Sequence, residues 1–322
     1  MLKIWEVKMI EKEIDEEWYG FILILYLSMR QCEHEWEKLK KQATNSICEI
    51  ENYFSNIFAN DYIVEEIPCD SHFFRARQVK NEDKNELGIN KIYSKHLKSL
   101  QEECDNLNSM YDNITIDFSD FLLLKAFAED EEREKIIKFI EPLVKDVKDN
   151  NFLGFNAEQS GHPPKGRTKA GRLNDVDDNF LYLAYDEATS VAEMRPIINQ
   201  LYSVAECVTT KKLKIVNLYD VSSTIQGNIF SKFYILSDKV SEPNTEPASD
   251  SDRFYKITQI LSHFLKEKGY DGIGYKSAMN KIGINLVLFD PNNVKFIKSK
   301  LIRIKNVKLE FDDEINNELF DN

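Results

Sequence analysis

Apolar residues recur at helical spacing through the first part of the chain, and this pattern predicts a helical region over residues 9–60. The residues that carry it are Trp18, Phe21, Ile22, Leu25, Met29, Ile47, Ile50, Phe54 and Ile57. Charged residues fill the other positions, as expected for helices with one buried face. The apolar stretch 18–29 is too short to cross a bilayer and follows an acidic segment rather than a basic one, so we interpret it as a buried helix.

The pattern changes at residues 68–70, where a proline interrupts it. Residues 72–79 alternate and predict a short strand, with Phe74 and Ala76 on one face and Arg75 and Arg77 on the other. A second helical block is predicted over 91–149, with its best-defined part at 118–147.

From residue 152 onward the pattern is typical of strands and loops. Residues 161–178 are rich in Gly, Pro and Asn and predict a loop. The elements predicted after it are strands at 180–184, 203–209, 214–218, 272–275, 284–289 and 294–298, helices at 189–197 and 253–268, a polar loop at 237–252, and a helix end at Gly269.

These elements predict an α+β protein: an all-helical N-terminal region followed by a mixed-sheet core. We expect a helical domain over 1–66 and a β-rich domain over 67–300, with a helical insertion at about 81–150. An acidic tail follows over 301–322. The strand that carries Arg75 and Arg77 is assigned to the β-rich domain.

Charge and cysteine content narrow the class of protein. The chain has 42 Lys and Arg against 55 Asp and Glu, for a net charge of −13. Such a surface repels phosphate backbones, which argues against nucleic acid as the main partner. The five cysteines have no C-x-x-C spacing and the five histidines share no metal-ligand spacing, so we expect reduced thiols, no metal and a cytoplasmic protein without a membrane partner.

Four groups of polar residues stand where folding alone does not require them. Arg75 and Arg77 suit a guanidinium fork for a phosphate, or else an edge strand with two solvated arginines. Arg172 and Asn174 lie in a Gly-containing loop before a strand. Glu193 falls in a helix whose cap we expect at Thr189 or Ser190, and Ser277 lies in a turn between two strands.

Together, in this order, the segments around these residues resemble the RES domain family, named for its Arg, Glu and Ser. The matching segments are FFRAR (73–77), GRLN (171–174), LYLAYDEATSVAEMRP (181–196), GYDGIGYKS (269–277) and NLVLFDP (285–291). The resemblance covers about 67–80 and 152–298, and the N-terminal helices are similar to an extension found in longer members.

The resemblance implies a toxin that degrades cellular NAD, with a fold similar to that of ADP-ribosyltransferases. Arg75, Tyr182, Glu193 and Ser277 match the family's catalytic positions, and Arg77, Arg172, Asn174 and Asn285 are expected to bind substrate. NAD is then the substrate and no cofactor is implied. Inorganic phosphate as a second substrate, an antitoxin or other regulatory partner, and homo-oligomer formation are further expectations.

Cleavage of NAD is a reaction that residues of these types can catalyse. Breaking the nicotinamide–ribose bond builds positive charge at the ribose C1′, which a carboxylate such as Glu193 stabilises while it holds the ribose hydroxyls. On this interpretation Arg75 fixes a phosphate or the ribose, Tyr182 contacts the nicotinamide, and Ser277 orients the ribose or the diphosphate. The sequence leaves open whether water, phosphate or a macromolecule accepts the ADP-ribosyl group, and whether the chain is a catalytically silent NAD- or ADP-ribose-binding module.

Overall fold

The computed structural model of the protein describes residues 16–42, 47–59, 63–110, 141–162, 170–176, 178–220, 228–241 and 251–308. In the N-terminal part, the elements are helix α1 (Glu16–Gln42), helix α2 (Ile47–Ile57), strands β1 (Val64–Ile67) and β2 (His72–Gln78), a 3₁₀ helix (Asn81–Glu86) and helix α3 (Gly88–Met110). Residues 141–149 are also helical. The predicted helical regions are thus confirmed where they are described, and residues 9–15, 43–46, 60 and 111–140 of those predictions lie outside the described ranges.

Strands dominate the second part. Its elements are helix α4 (Ala157–Ser160), β3 (Leu181–Ala184), helix α5 (Glu187–Ala192), β4 (Leu201–Thr209), β5 (Leu213–Asn217), helices α6 (Asn228–Ser241) and α7 (Ser251–Glu267), β6 (Gly272–Lys276), β7 (Ile284–Leu288), a 3₁₀ turn (Pro291–Asn293) and β8 (Val294–Arg303). Every strand predicted from the alternating and apolar runs is present, and the α+β class is confirmed.

The eight strands form one mixed sheet in the order β1-β5-β6-β7-β3-β2-β4-β8. Among the described strands, β5 and β6 run parallel and the other neighbouring pairs are antiparallel. β2 lies inside the sheet, because it pairs with β4 along its whole length and with β3 at Phe74↔Ala184. Its two arginines therefore do not lie on an edge strand.

Four of the helices pack against one face of this sheet. Residues from α1, α2, α6 and α7 share a single apolar cluster with Val216, Ile273 and Val287 of the strands. The opposite face carries a second cluster, formed by the alternate residues of the same strands, such as Ile215 and Leu286. This arrangement follows from the alternation of side chains along a strand, since both faces of the central strands are covered.

The N-terminal helices contribute directly to that first cluster. α1 buries Cys32, Trp36 and Leu39, spaced by four and three residues, and α2 buries Phe54 in contact with Phe264 of α7 at 6.0 Å between ring centroids. Complete burial of one such phenylalanine contributes about 1.5–3 kcal/mol. Of the residues that carried the predicted pattern, Ile50, Phe54 and Ile57 of α2 are buried, whereas Ile47 is exposed.

Among the strands and the longer helices, β1 and α6 were not predicted. β1 (VEEI) contains two glutamates at the sheet edge, and Glu65 accepts hydrogen bonds from Asn217 at 3.1 Å and from the Tyr219 hydroxyl. α6 overlaps the predicted loop 237–252, which is wrong at 237–241 and at 251–252. The helix continues there because the buried Ser237 hydroxyl donates to the Leu218 carbonyl, so a polar residue occupies an interior position.

The end of α7 agrees with the prediction. Gly269 has φ of 85°, a left-handed conformation that glycine adopts without steric cost just after a helix. No described helix is long and apolar enough to span a membrane. Within the described ranges, no group of three His, Cys, Asp or Glu side chains is arranged to hold a metal ion.

Candidate active site

Glu193 lies at the end of α5, not near its start. Asp186 is the N-cap, since its carboxylate accepts from the Thr189 backbone N–H at 2.8 Å and from the Thr189 hydroxyl at 2.6 Å. The helix ends at Ala192, and Glu193 is the C-cap. The predicted cap at Thr189 or Ser190 and the predicted span 189–197 are therefore wrong, because Asp186 starts the helix earlier and Arg195, with φ of 49°, has already left helical geometry before Pro196.

Two side chains fix the Glu193 carboxylate. The Ser277 hydroxyl donates to Glu193 Oε1 at 2.6 Å, and the Asn285 amide donates to the same oxygen at 2.7 Å. No described residue donates a hydrogen bond to Oε2. One oxygen is thus held in place while the other is available to a ligand.

The turn that carries Ser277 is attached to α5. Ser277 Oγ accepts from the backbone N–H groups of Met279 at 3.1 Å and Asn280 at 3.0 Å, and the Asn280 amide donates to Thr189 Oγ1 at 2.8 Å. Gly283 approaches so closely that a Cβ there would lie 2.4 Å from Thr189 Oγ1. The β6–β7 turn and α5 are therefore in direct contact, which sets the distance between Ser277 and Glu193.

A cavity of about 400 Å³ opens beside Glu193. It is lined by Phe74, Arg75, Ala76, Arg77, Gln78, Lys80, Tyr182, Leu183, Ala184, Ser190, Glu193, Met194, Tyr275 and Asn285. Glu193 is the acidic residue in this wall, and aromatic and aliphatic side chains form much of the rest. A small set of polar groups in a mainly apolar cleft is typical of a small-molecule site.

Strand register explains which residues meet there. Ala184 pairs with Phe74 of β2 and with Asn285 of β7, and Asn285 pairs in turn with Tyr275 of β6. Directly paired residues in antiparallel strands project to the same face. The cavity therefore lies on one face of the sheet, where β2 and β3 part after their single pairing.

Tyr182 faces the cavity, but its hydroxyl is already bonded. It donates to Asn174 Oδ1 at 2.8 Å and accepts from the Leu173 backbone N–H at 3.1 Å. Burial raises the pKa of this phenol above its usual range, which the Leu173 hydrogen bond and the charge of Arg172 partly offset. Tyr182 thus presents its ring, rather than its hydroxyl, to a ligand.

Arg172 and Asn174 stand behind Tyr182 and are not part of the described cavity wall. Arg172 Nη1 donates to the Val240 carbonyl at 2.6 Å, and the positive charge is close enough to Tyr275 to oppose the rise in the pKa of that phenol caused by burial. Asn174 is buried and bonded to Tyr182. The structure therefore places both residues around the aromatic wall of the site.

Arg75 and Arg77 direct their guanidinium groups to the other face of the sheet. Arg75 is paired with Ala205, whose side chain lies in the opposite apolar cluster, and Arg75 Nη1 donates to the carbonyls of Ser160, at 2.7 Å, and Gly161. Arg77 Nη1 donates to the Gln159 carbonyl. Both residues contribute to the cavity wall, but neither guanidinium group is hydrogen bonded to Glu193, Ser277 or Asn285.

The chain matches the RES domain family model over residues 147–312. This match spans more than half of the chain, and the protein belongs to the RES domain family, as its sequence segments indicated. The matched region contains Tyr182, Glu193, Ser277 and Asn285 but not β2 with its two arginines.

Among solved structures, a similar chain occurs in the crystal structure of the M. tuberculosis MbcT–MbcA toxin–antitoxin complex, with 14% identity, a TM-score of 0.31, and coverage of 43% of this chain and 74% of that chain. No curated protein matches the sequence.

Several wall residues were not predicted from the sequence, namely Phe74, Ala76, Gln78, Lys80, Leu183, Ala184, Ser190, Met194 and Tyr275. The only signal for Phe74 and Ala76 was their position on one face of the predicted strand. For the others, strand pairing and the course of the chain after α5 were needed, neither of which a single sequence displays.

Proposed function

We propose that this protein is an NAD-degrading enzyme of the toxin type, which breaks the bond between nicotinamide and the ribose C1′. The observation that carries the proposal is the Glu193 carboxylate, held through Oε1 by Ser277 and Asn285 at the wall of the cavity. Membership of the RES domain family supports the same conclusion.

The arrangement suits a dissociative cleavage. The C1′–N bond breaks, its electron pair stays on nicotinamide, and the leaving group departs neutral because it began as a pyridinium cation. No general acid is required, and the site's task is to stabilise positive charge at C1′. The unoccupied Oε2 of Glu193 would lie against the ribose, where a fixed carboxylate lowers the energy of the oxocarbenium-like transition state.

The remaining wall residues would orient the substrate. The rings of Tyr182 and Phe74 and the side chain of Met194 offer apolar surfaces on which the flat nicotinamide ring can pack. Rigid placement of this ring and its ribose contributes to the rate because it removes the freedom the reactants would otherwise lose. When water then attacks C1′, a C–O bond forms and one proton is released, for which Glu193 is the nearby acceptor.

Replacement of Glu193 by glutamine tests this role. The amide keeps the size of the side chain but lacks the charge, so we expect kcat for nicotinamide release from NAD to fall by about 10²–10³-fold. Glu187→Gln is the matched control, because Glu187 lies on α5 but pairs with Lys300 at 2.8 Å and does not line the cavity. Near-normal activity of a folded Glu193→Gln variant contradicts the proposed role.

The acceptor is identified by the products. Digestion of NAD by the purified protein should yield ADP-ribose if water attacks, and ADP-ribose 1″-phosphate if inorganic phosphate attacks. Label transferred from NAD to a macromolecule would identify an ADP-ribosyltransferase instead. Retained binding of ADP-ribose without any nicotinamide release would identify a silent binding module.

Such an activity must be restrained in the cell. We include in the proposal a separate antitoxin or regulatory protein that performs this task. Growth arrest on expression of the wild-type chain, together with a fall in cellular NAD that Glu193→Gln abolishes, is the expected observation.

A further inference from the structure

The cavity extends away from Glu193 along β2. Phe74, Ala76, Gln78 and Lys80 all line it, and alternate residues of an extended chain project to the same face. From Phe74, next to Ala184, to Lys80 is a distance of about 20 Å at the usual rise per residue of a strand. The two ends of the cavity therefore differ: Glu193 and Asn285 lie at one, and Lys80 at the other.

Lys80 is the cation at the far end. Three basic residues are among those that line the cavity, and the guanidinium groups of Arg75 and Arg77 are bonded to the carbonyls of residues 159–161. Arg77 also lies over the Phe155 ring at 5.7 Å. Among the described residues, the Lys80 ammonium has one weak ion pair, 3.7 Å from Glu82 Oε1, and both side chains are largely exposed, at 66% and 75%.

An exposed ion pair of this length contributes little and is easily exchanged for another anion. The chain as a whole carries a net charge of −13, which disfavours the approach of a phosphorylated ligand. A cation at the cavity end therefore matters more here than it would on a basic protein.

We propose that Lys80 binds the diphosphate of the dinucleotide substrate and so selects NAD over substrates that lack phosphate. This inference rests on the proposed function, since it takes Glu193 as the group that acts at the ribose. With the nicotinamide end beside Glu193, the rest of an extended dinucleotide follows the row of alternate β2 residues, and its anionic part comes within reach of the Lys80 side chain.

Charge reversal at Lys80 tests the assignment. For Lys80→Glu, we expect kcat/KM for NAD to fall by about tenfold or more, the effect of one charge-assisted hydrogen bond, mainly through KM. Nicotinamide riboside has the same scissile bond but no phosphate, so its cleavage should fall much less. Lys84→Glu is the matched control, because Lys84 is exposed on the adjoining 3₁₀ helix and does not line the cavity.

The outcomes separate this inference from the proposed function. If the wild type releases no nicotinamide from either substrate, the proposed function is wrong and this inference with it. If the wild type is active and Lys80→Glu reduces both substrates equally, or matches Lys84→Glu on NAD, Lys80 does not bind the diphosphate. Titration of NAD into Glu193→Gln and into Lys80→Glu/Glu193→Gln provides a readout without turnover, and about tenfold weaker binding by the double variant supports the assignment.

Discussion

Both hydrogen bonds to the Glu193 carboxylate arrive at one oxygen. Ser277 and Asn285 donate to Oε1, and the Ser277 hydroxyl is itself fixed by the N–H groups of Met279 and Asn280. Because a side chain at a helix C-cap can otherwise rotate, these two hydrogen bonds fix the rotamer of Glu193. We therefore propose that Ser277 positions Glu193 rather than orienting the ribose or the diphosphate.

Removal of the Ser277 hydroxyl tests this description. Ser277→Ala loses one hydrogen bond to a charged group, worth about 1.5–3 kcal/mol, so we expect kcat for NAD cleavage to fall by about tenfold or more. KM should change little, and Ser277→Thr should restore much of the rate because it keeps the hydroxyl. A rise in KM at constant kcat would instead place Ser277 on the substrate.

The two β2 arginines show what an alternating sequence pattern cannot predict. Alternation identified the face that Arg75 and Arg77 share, but it does not reveal which face of the sheet carries the site. Burial, together with the nearby Arg77 charge, lowers the pKa of Arg75 to about 10, which leaves it cationic at neutral pH and matched to the carbonyls of Ser160 and Gly161. These hydrogen bonds hold the segment around α4 against the sheet.

At the scale of elements, α5 is short, so the position at which it begins also sets the position of Glu193 at its end. Its six residues lie between the N-cap Asp186 and the C-cap Glu193. Val191 packs against Ala76 of β2 and Val204 of β4. A helix of less than two turns has little stability of its own, so its cap and its packing fix it.

We therefore expect the cap to influence the reaction. Asp186→Ala should lower the free energy of unfolding by about 1 kcal/mol, the usual value of an N-cap, and should also reduce kcat because Glu193 is less well placed. Asp186→Asn, which still accepts from Thr189, should lose less of both. Urea unfolding and steady-state rates measure the two effects, and an unfolding midpoint for Asp186→Ala equal to that of the wild type would contradict the prediction.

How much of the structure the sequence predicts depends on where each element's polar groups lie. Strands such as β3 and β7 are buried on both faces and appear as apolar runs, so their positions were predicted correctly. β1 and α6 were not predicted because each contains a polar residue that interrupts the apolar pattern. Glu65 at the sheet edge and Ser237 in the interior make hydrogen bonds to other parts of the chain, which a single sequence does not reveal. For the site, family segments located Tyr182, Glu193 and Ser277, whereas Lys80 and Met194 depend on tertiary contacts.

At the scale of the whole molecule, the N-terminal helices and the sheet share one apolar core. α1 contacts α6, and α2 contacts α7, within the cluster that also contains Tyr275 of the cavity wall. The helices are thus part of the structure that supports the site.

This shared core predicts joint loss of structure and activity. Phe54→Ala should lower the free energy of unfolding by about 3–5 kcal/mol, as is usual for a fully buried phenylalanine. In urea, NAD cleavage and helical circular dichroism should then be lost at the same, lower concentration. Ile47→Ala on the same helix is the control, since Ile47 is 51% exposed and should change stability little. Two separate transitions would show that the helices and the sheet unfold independently.

The interior position of β2 has a practical consequence. The family match begins at residue 147, so a fragment cloned on those boundaries would lack the strand that joins β3 to β4. β1 would be missing as well, so the four strands β5, β6, β7 and β3 would lose their connection to β4 and β8. The edges of β3 and β4 that β2 covers would be unpaired and prone to aggregation. A protein expressed from the matched segment alone would thus lack the strand that joins the two parts of its sheet.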